Sequence, residues 1–125
     1  MTIKESGENY LESILMLKHQ KGNVRSIDIA RHLQVSKPSV SIAMKSLREE
    51  GYITVDDLGS ISLTEKGLQI ALKMYERHQI IASALMALGV PEKTAYQDSC
   101  KIEHDISQES FHKIREHLKK KGVIS

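Results

Sequence analysis

The stretch Ser26-Ile27-Asp28-Ile29-Ala30-Arg31-His32-Leu33-Gln34-Val35-Ser36-Lys37-Pro38-Ser39-Val40-Ser41-Ile42-Ala43-Met44-Lys45-Ser46-Leu47 decides the fold. Ile27, Ile29, Ala30 and Leu33 make a short helical pattern, with Ser26 as its expected N-cap. Ser36 caps a second helix, and Pro38 stands in its first turn, where a missing N–H costs little. Two short helices joined by Gln34-Val35-Ser36 fit a helix-turn-helix, whose second helix would enter a major groove. Periodicity divides that second helix: Val40, Ala43, Met44 and Leu47 share a core-facing side, so Pro38, Ser39, Ile42, Lys45 and Ser46 point outward.

Working outward, residues 6–20 read as a preceding helix, carried by Tyr10, Ile14, Leu15 and Leu17 and stopped by Gly22. After Gly51, Tyr52-Ile53-Thr54-Val55 and Ile61-Ser62-Leu63 flank a Gly-containing polar turn, which is a hairpin signal and fits a wing. Thr64 caps a long helix that reaches Leu88; Gly89 ends it, and Pro91 opens a fifth helix over residues 92–105. Ser107 caps a last helix that runs into Lys119-Lys120-Lys121. The expected architecture is mainly α: a winged helix-turn-helix over residues 1–63, then an all-helical domain over residues 64–125, joined stiffly by a continuous helix.

Composition narrows the class. The chain has 125 residues, one cysteine and a formal net charge of +2. One cysteine cannot form an intrachain disulfide, and this length buries a core without staples. No run approaches the about 18 apolar residues of a membrane helix, and the N-terminal residues 1–6 lack the apolar core of a signal peptide. The expectation is a soluble cytoplasmic protein without a membrane partner. No phosphate loop, GxSxG elbow or HExxH occurs, so the case for an enzyme is weak.

Local charge points to nucleic acid where global charge does not. Between residues 18 and 51 stand seven basic residues (Lys18, Lys21, Arg25, Arg31, Lys37, Lys45 and Arg48) and three acidic ones. Such a patch supplies the salt-dependent phosphate attraction. Ser36, Lys37, Ser39 and Ser41 are small donors at a helix N-terminus, and Ile42 and the Pro38 ring suit thymine methyls. The candidate DNA-binding residues are therefore Arg25, Ser36, Lys37, Pro38, Ser39, Ser41, Ile42 and Lys45. A solvated helical surface is the plainer reading, and the wing beside a Ser-Lys-Pro-Ser opening argues against it.

A second constellation carries ligands. Cys100, Glu103 and His104 form C-x-x-E-H on the expected fifth helix, where positions i, i+3 and i+4 share a face. Thiolate, carboxylate and imidazole all suit first-row divalent metals. His78 on the long helix, and Asn9 and Glu12 spaced i and i+3 on the first, offer further donors. A lone cysteine is more often a buried hydrophobe, and His19, His32, His112 and His117 have no comparable grouping. A Cys100 nucleophile with His104 as base lacks an evident oxyanion hole or orienting group.

These residues together resemble the diphtheria-toxin-repressor and manganese-transport-regulator family of metal-dependent transcriptional repressors. The resemblance rests on Glu8-Asn9-Tyr10-Leu11-Glu12, the Ser36–Ser41 helix start, Leu63-Thr64-Glu65-Lys66-Gly67, Arg77-His78 and residues 100–107. It implies a homodimer in the short, two-domain form, with Glu12, His78, Glu103 and His104 matching family ligands. Cys100 stands where the manganese-type branch has glutamate and the iron-type branch cysteine. Asn9 stands where those branches have aspartate or methionine, and Ala82 and Tyr96 replace the glutamate and histidine of the iron-type ancillary site. The site implied is a hybrid. Neutral Asn9 weakens a hard dication there, and Cys100 favours softer ions. Fe²⁺ and Mn²⁺ are the favoured effectors, with Co²⁺ and Zn²⁺ as further candidates.

The expected function is a metal-dependent repressor that binds palindromic operator DNA as a homodimer and controls metal-homeostasis genes. No small organic substrate is expected. Ile80, Ile81, Ala84, Leu85, Leu88 and Val90 are apolar enough for both core and dimer interface. Metal needs thiolate and neutral imidazole, so DNA binding should weaken below about pH 6. The alternative is a winged-helix DNA-binding regulator not controlled by metal; a metal-storage protein is a third reading, disfavoured by the residue 36–48 helix.

Overall fold

The computed structural model describes residues 5–125; residues 1–4, part of the segment read as lacking a signal peptide, lie outside the described residues. Six helices and one hairpin follow in order among them: α1 (Glu5–Lys21), α2 (Ser26–Leu33), α3 (Lys37–Glu49), β1 (Ile53–Val55), β2 (Ile61–Leu63), α4 (Glu65–Ala87), α5 (Glu92–Ile102) and α6 (Gln108–Lys120). Two compact units part inside α4, one ending at Lys73 and the other spanning Met74–Ser125, ten residues beyond the expected division at 63/64. No described helix is long and apolar enough to cross a membrane.

The first unit closes on Leu11, Ile14 and Leu17 of α1, Ile29 of α2, and Val40, Met44 and Leu47 of α3, with Tyr52, Ile53 and Ile61 from the hairpin side. Each helix thus buries one stripe at three- and four-residue spacing. Ser36 caps α3: its hydroxyl oxygen accepts from Ser39 N at 3.3 Å. The turn before it passes through Gln34 at φ 56°, a left-handed conformation that costs a non-glycine residue about 1 kcal/mol.

The start of α2 differs from expectation. Arg25, not Ser26, holds the N-cap position. The Asp28 carboxylate takes over the capping role, accepting from Arg25 N at 2.9 Å and from the Lys21 ammonium. That Lys21 donor, and next the Arg25 N–H, hold the Asp28 carboxyl below its usual value.

β1 and β2 pair antiparallel, with Thr54 opposite Ser62. The Asp56 carboxylate closes their turn, accepting from Leu58 N at 2.9 Å and Ser60 N at 2.8 Å, while Gly59 adopts φ 83°. The hairpin is also tied to the α1–α2 loop. Ile61 N donates to Val24 O at 2.7 Å, the Arg25 guanidinium donates to Leu58 O, and Ser60 donates to the Asn23 side chain. Thr64 caps α4, accepting from Gly67 N at 3.2 Å. Gly67 has a steric cause: a Cβ there would lie 2.1 Å from Tyr52 O, inside the first unit's core.

The second unit buries Met74, Ile81 and Ala82 of α4, Ala95 of α5, and Phe111 and Leu118 of α6. Ser107 caps α6, accepting from Ser110 N at 3.0 Å. α5 stops at Ile102, short of the expected residue 105, so Glu103 and His104 lie in the turn that follows it rather than on the helix.

Two outcomes follow from these contacts. Asp28 has a depressed folded pKa, so its contribution is present above the unfolded value of about 3.9 and is lost as pH falls through the folded one. Asp28→Asn should cost about 1 kcal/mol near neutrality, and that deficit should shrink below about pH 4 in urea titrations. Gly67→Ala forces a methyl group against the Tyr52 carbonyl and should cost about 1–3 kcal/mol, read as a lowered melting temperature; an unchanged melt would contradict this close approach.

Candidate metal centre and nucleic-acid interface

α4 builds one side of the candidate centre. Met74, Arg77, His78, Ile81 and Ala82 are its buried residues in the second unit, a stripe that includes two cationic-type side chains. His78 Nδ1 lies 2.8 Å from Glu103 Oε2, and His104 Nε2 lies 3.3 Å from Glu103 Oε1. Glu103 has no exposed surface. A fully buried carboxylate flanked by two imidazoles is a donor set of the kind that suits a divalent transition metal.

Neighbouring groups hold this geometry. The Ser99 hydroxyl donates to His78 O at 2.6 Å, and the His78 ring stands 5.4 Å from that of Tyr96. Glu103 closes α5 with helical dihedrals and donates its N–H to Ser99 O at 2.9 Å, so the helical path from Cys100 reaches Glu103. Cys100 itself is half-buried. Arg77 donates from Nη1 to Glu103 O and Ile106 O and from Nη2 to Gln108 Oε1.

The remaining expected ligands belong to the first unit. Glu12 is buried on α1, and Asn9 is half-buried there, its carbonyl accepting from Ser13 Oγ at 2.8 Å. At the positions of the ancillary site, Ala82 is buried and Tyr96 donates its hydroxyl to Gln79 Oε1 at 3.1 Å. Of the six apolar residues offered for core and interface, Ile81 is core, whereas Leu88 is 82% exposed.

The outer face of α3 follows its periodicity. Ser36, Lys37, Pro38, Ser39, Ser41, Ile42 and Lys45 are all exposed, and Ile42 is 73% exposed although its side chain is apolar. An apolar side chain so placed among small donors suits base edges and thymine methyls. Arg25 stands apart from this face in role: its guanidinium donates to the wing carbonyl of Leu58. The wing carries Asp56 and Asp57 and no cation between residues 52 and 63. The basic residues of this unit's first half therefore lie on α1–α3 and their loops, and Lys21 among them is paired with Asp28.

Comparison with known proteins assigns both halves of the chain to one family. Residues 2–59 match the N-terminal DNA binding domain of iron dependent repressors, and residues 64–121 match the iron dependent repressor metal binding and dimerisation domain. An HTH-type transcriptional regulator of Methanocaldococcus jannaschii is 32% identical over 94% of this chain and 96% of its own length. The chain belongs to the iron-dependent repressor family. It is a metal-dependent transcriptional regulator of the diphtheria-toxin-repressor and manganese-regulator type, not an enzyme. The transcriptional regulator MntR of Escherichia coli is 34% identical over 96% of this chain and 77% of that protein. Among solved structures, T. acidophilum IdeR superposes with a TM-score of 0.81 at 26% identity, over 95% of this chain and 55% of that one. The chain thus spans about half the length of that solved relative.

Sequence reasoning passed over Ser99, and it quoted Arg77 only as part of the family resemblance, with no role of its own. A signal for Arg77 was present: it occupies the apolar stripe of α4 beside His78, where a solvated arginine has no place.

Glu103→Gln keeps the shape and removes the charge between the imidazoles. Mn²⁺ affinity measured by calorimetry should fall at least about tenfold; unchanged affinity would remove Glu103 from the ligand set.

Proposed function

We propose that this repressor-family chain binds a divalent transition metal through His78, Cys100, Glu103 and His104, completed by Asn9 and Glu12 of α1. In that form it binds palindromic operator DNA as a cytoplasmic homodimer and represses metal-homeostasis genes. The observation that carries this reading is the buried Glu103 carboxylate set between His78 and His104, in a chain whose α3 leaves an exposed reading face. The further ligands and the homodimer rest on the family resemblance and on the match to a metal binding and dimerisation domain.

A bound divalent ion would supply positive charge among carboxylate, thiolate and imidazole donors. The chain's own residues do the rest. Ser99 bonds the His78 backbone beside the Tyr96 ring, and the last turn of α5 carries Cys100 one helical turn before Glu103. On the DNA side, Ser36 fixes the first turn of α3, so that Lys37, Ser39, Ser41, Ile42 and Lys45 meet the groove as one surface. A ligand set drawn from α1 as well as from α4 and α5 gives metal different affinities for different arrangements of the reading unit. Only such a difference can shift the population towards DNA-competent dimers.

Fe²⁺ and Mn²⁺ are the proposed effectors, with Co²⁺ and Zn²⁺ as weaker candidates. Cys100 supplies a softer donor than the carboxylate of the manganese-type branch, and neutral Asn9 a weaker one than aspartate.

The test is binding to the protein's own promoter region by fluorescence anisotropy, anaerobically, first with chelator and then with each metal added singly. Affinity should rise about 5- to 150-fold with the effector. Metal-independent binding would favour a winged-helix regulator not controlled by metal. Lys45→Ala should lower the salt dependence of binding by about one ion without changing the metal requirement.

A further inference from the structure

We infer that Arg77 is the positioning residue for the turn that presents Glu103 and His104, an inference that rests on the metal reading above. Arg77 is only 6% exposed. Its Nη1 donates to Glu103 O at 3.0 Å and to Ile106 O at 2.9 Å, the two ends of the turn after α5. Its Nη2 donates to Gln108 Oε1 at 2.7 Å, on the first residue of α6. The guanidinium carbon stands 5.3 Å from the centroid of the buried Phe111 ring.

One side chain thus joins the end of α5, the ligand turn and the start of α6. The chemistry of the contact explains why it is an arginine. A helix C-terminus leaves carbonyls without intrahelical donors and carries partial negative charge, which a cation satisfies. The planar guanidinium offers several donors in a fixed fork, so it can reach two carbonyls and an amide oxygen together; an ammonium on a flexible stem cannot hold all three in one geometry.

Adjacency on α4 gives the contact its purpose. Arg77 grips the backbone of Glu103, and His78, the next residue, meets the Glu103 carboxylate. Two successive residues of one helix therefore set Glu103 in place from its carbonyl and from its side chain. Without the Arg77 grip, the carboxylate and the following imidazole of His104 sit on a turn whose carbonyls must find water inside a buried site. Outer groups that orient metal ligands commonly change affinity by about 10- to 100-fold when lost.

The test compares Arg77→Met and Arg77→Lys with the unmodified chain. Methionine keeps an apolar stem over Phe111 and removes every donor; lysine keeps the charge but not the fork. Co²⁺ titration followed by absorbance reads affinity and ligand field, and amide hydrogen exchange of the metal-free proteins reads the turn. Arg77→Met should bind Co²⁺ about 10- to 100-fold more weakly, with faster exchange confined to residues 103–108, and Arg77→Lys should fall between. Faster exchange spread evenly through the chain, or unchanged exchange with unchanged Co²⁺ affinity, would overturn the assignment. If the unmodified chain takes up no Co²⁺, the metal reading falls first and the inference with it. If it takes up Co²⁺ and Arg77→Met does so equally, only the role of Arg77 falls.

Discussion

A carboxylate with no solvent contact governs the second unit. Removing an ionised carboxylate from water costs several kcal/mol unless fixed partners replace its hydration. Glu103 has the imidazole of His78 against one oxygen and that of His104 near the other. Each of those groups is in turn set by a local feature. α4 carries His78 on its buried stripe, Ser99 bonds its backbone, and the end of α5 brings His104 alongside. The three side chains make chemical sense together as a place for positive charge, and the matched family is one of metal-binding repressors.

The first unit divides its labour differently from the wing-and-helix pattern in its simplest form. Its hairpin tip is acidic, and it is fastened to the α1–α2 loop through Val24, Asn23 and Arg25. Acidic side chains repel phosphates, which sets the hairpin tip apart from the exposed face of α3 with its Ser and Lys donors. Arg25, one of the candidate DNA-binding residues, also forms part of that fastening through its bond to Leu58 O.

Much of this was legible in the chain because the deciding interactions are local. Ser36, Thr64 and Ser107 cap their helices through bonds to residues three positions on, and the two faces of α3 follow from periodicity alone. What escaped had two sources. Ser26 looks like a cap until the Asp28 carboxylate is found accepting from Arg25 N, a competing local contact. The fifth helix reads as running to residue 105, yet it ends at Ile102, where Arg77, 26 positions away, takes the Glu103 carbonyl. The C-x-x-E-H spacing marked candidate ligands, but bringing His78 to Glu103 required the packing of α4 against the end of α5. Resemblance to the repressor family filled that gap, and it did so one residue at a time.

Anomalous X-ray diffraction from crystals grown with Mn²⁺ tests the central claim most directly. A manganese peak within bonding distance of Glu103 and of His78 or His104 is the expected result. A peak confined to other residues, or none at saturating metal, would contradict it.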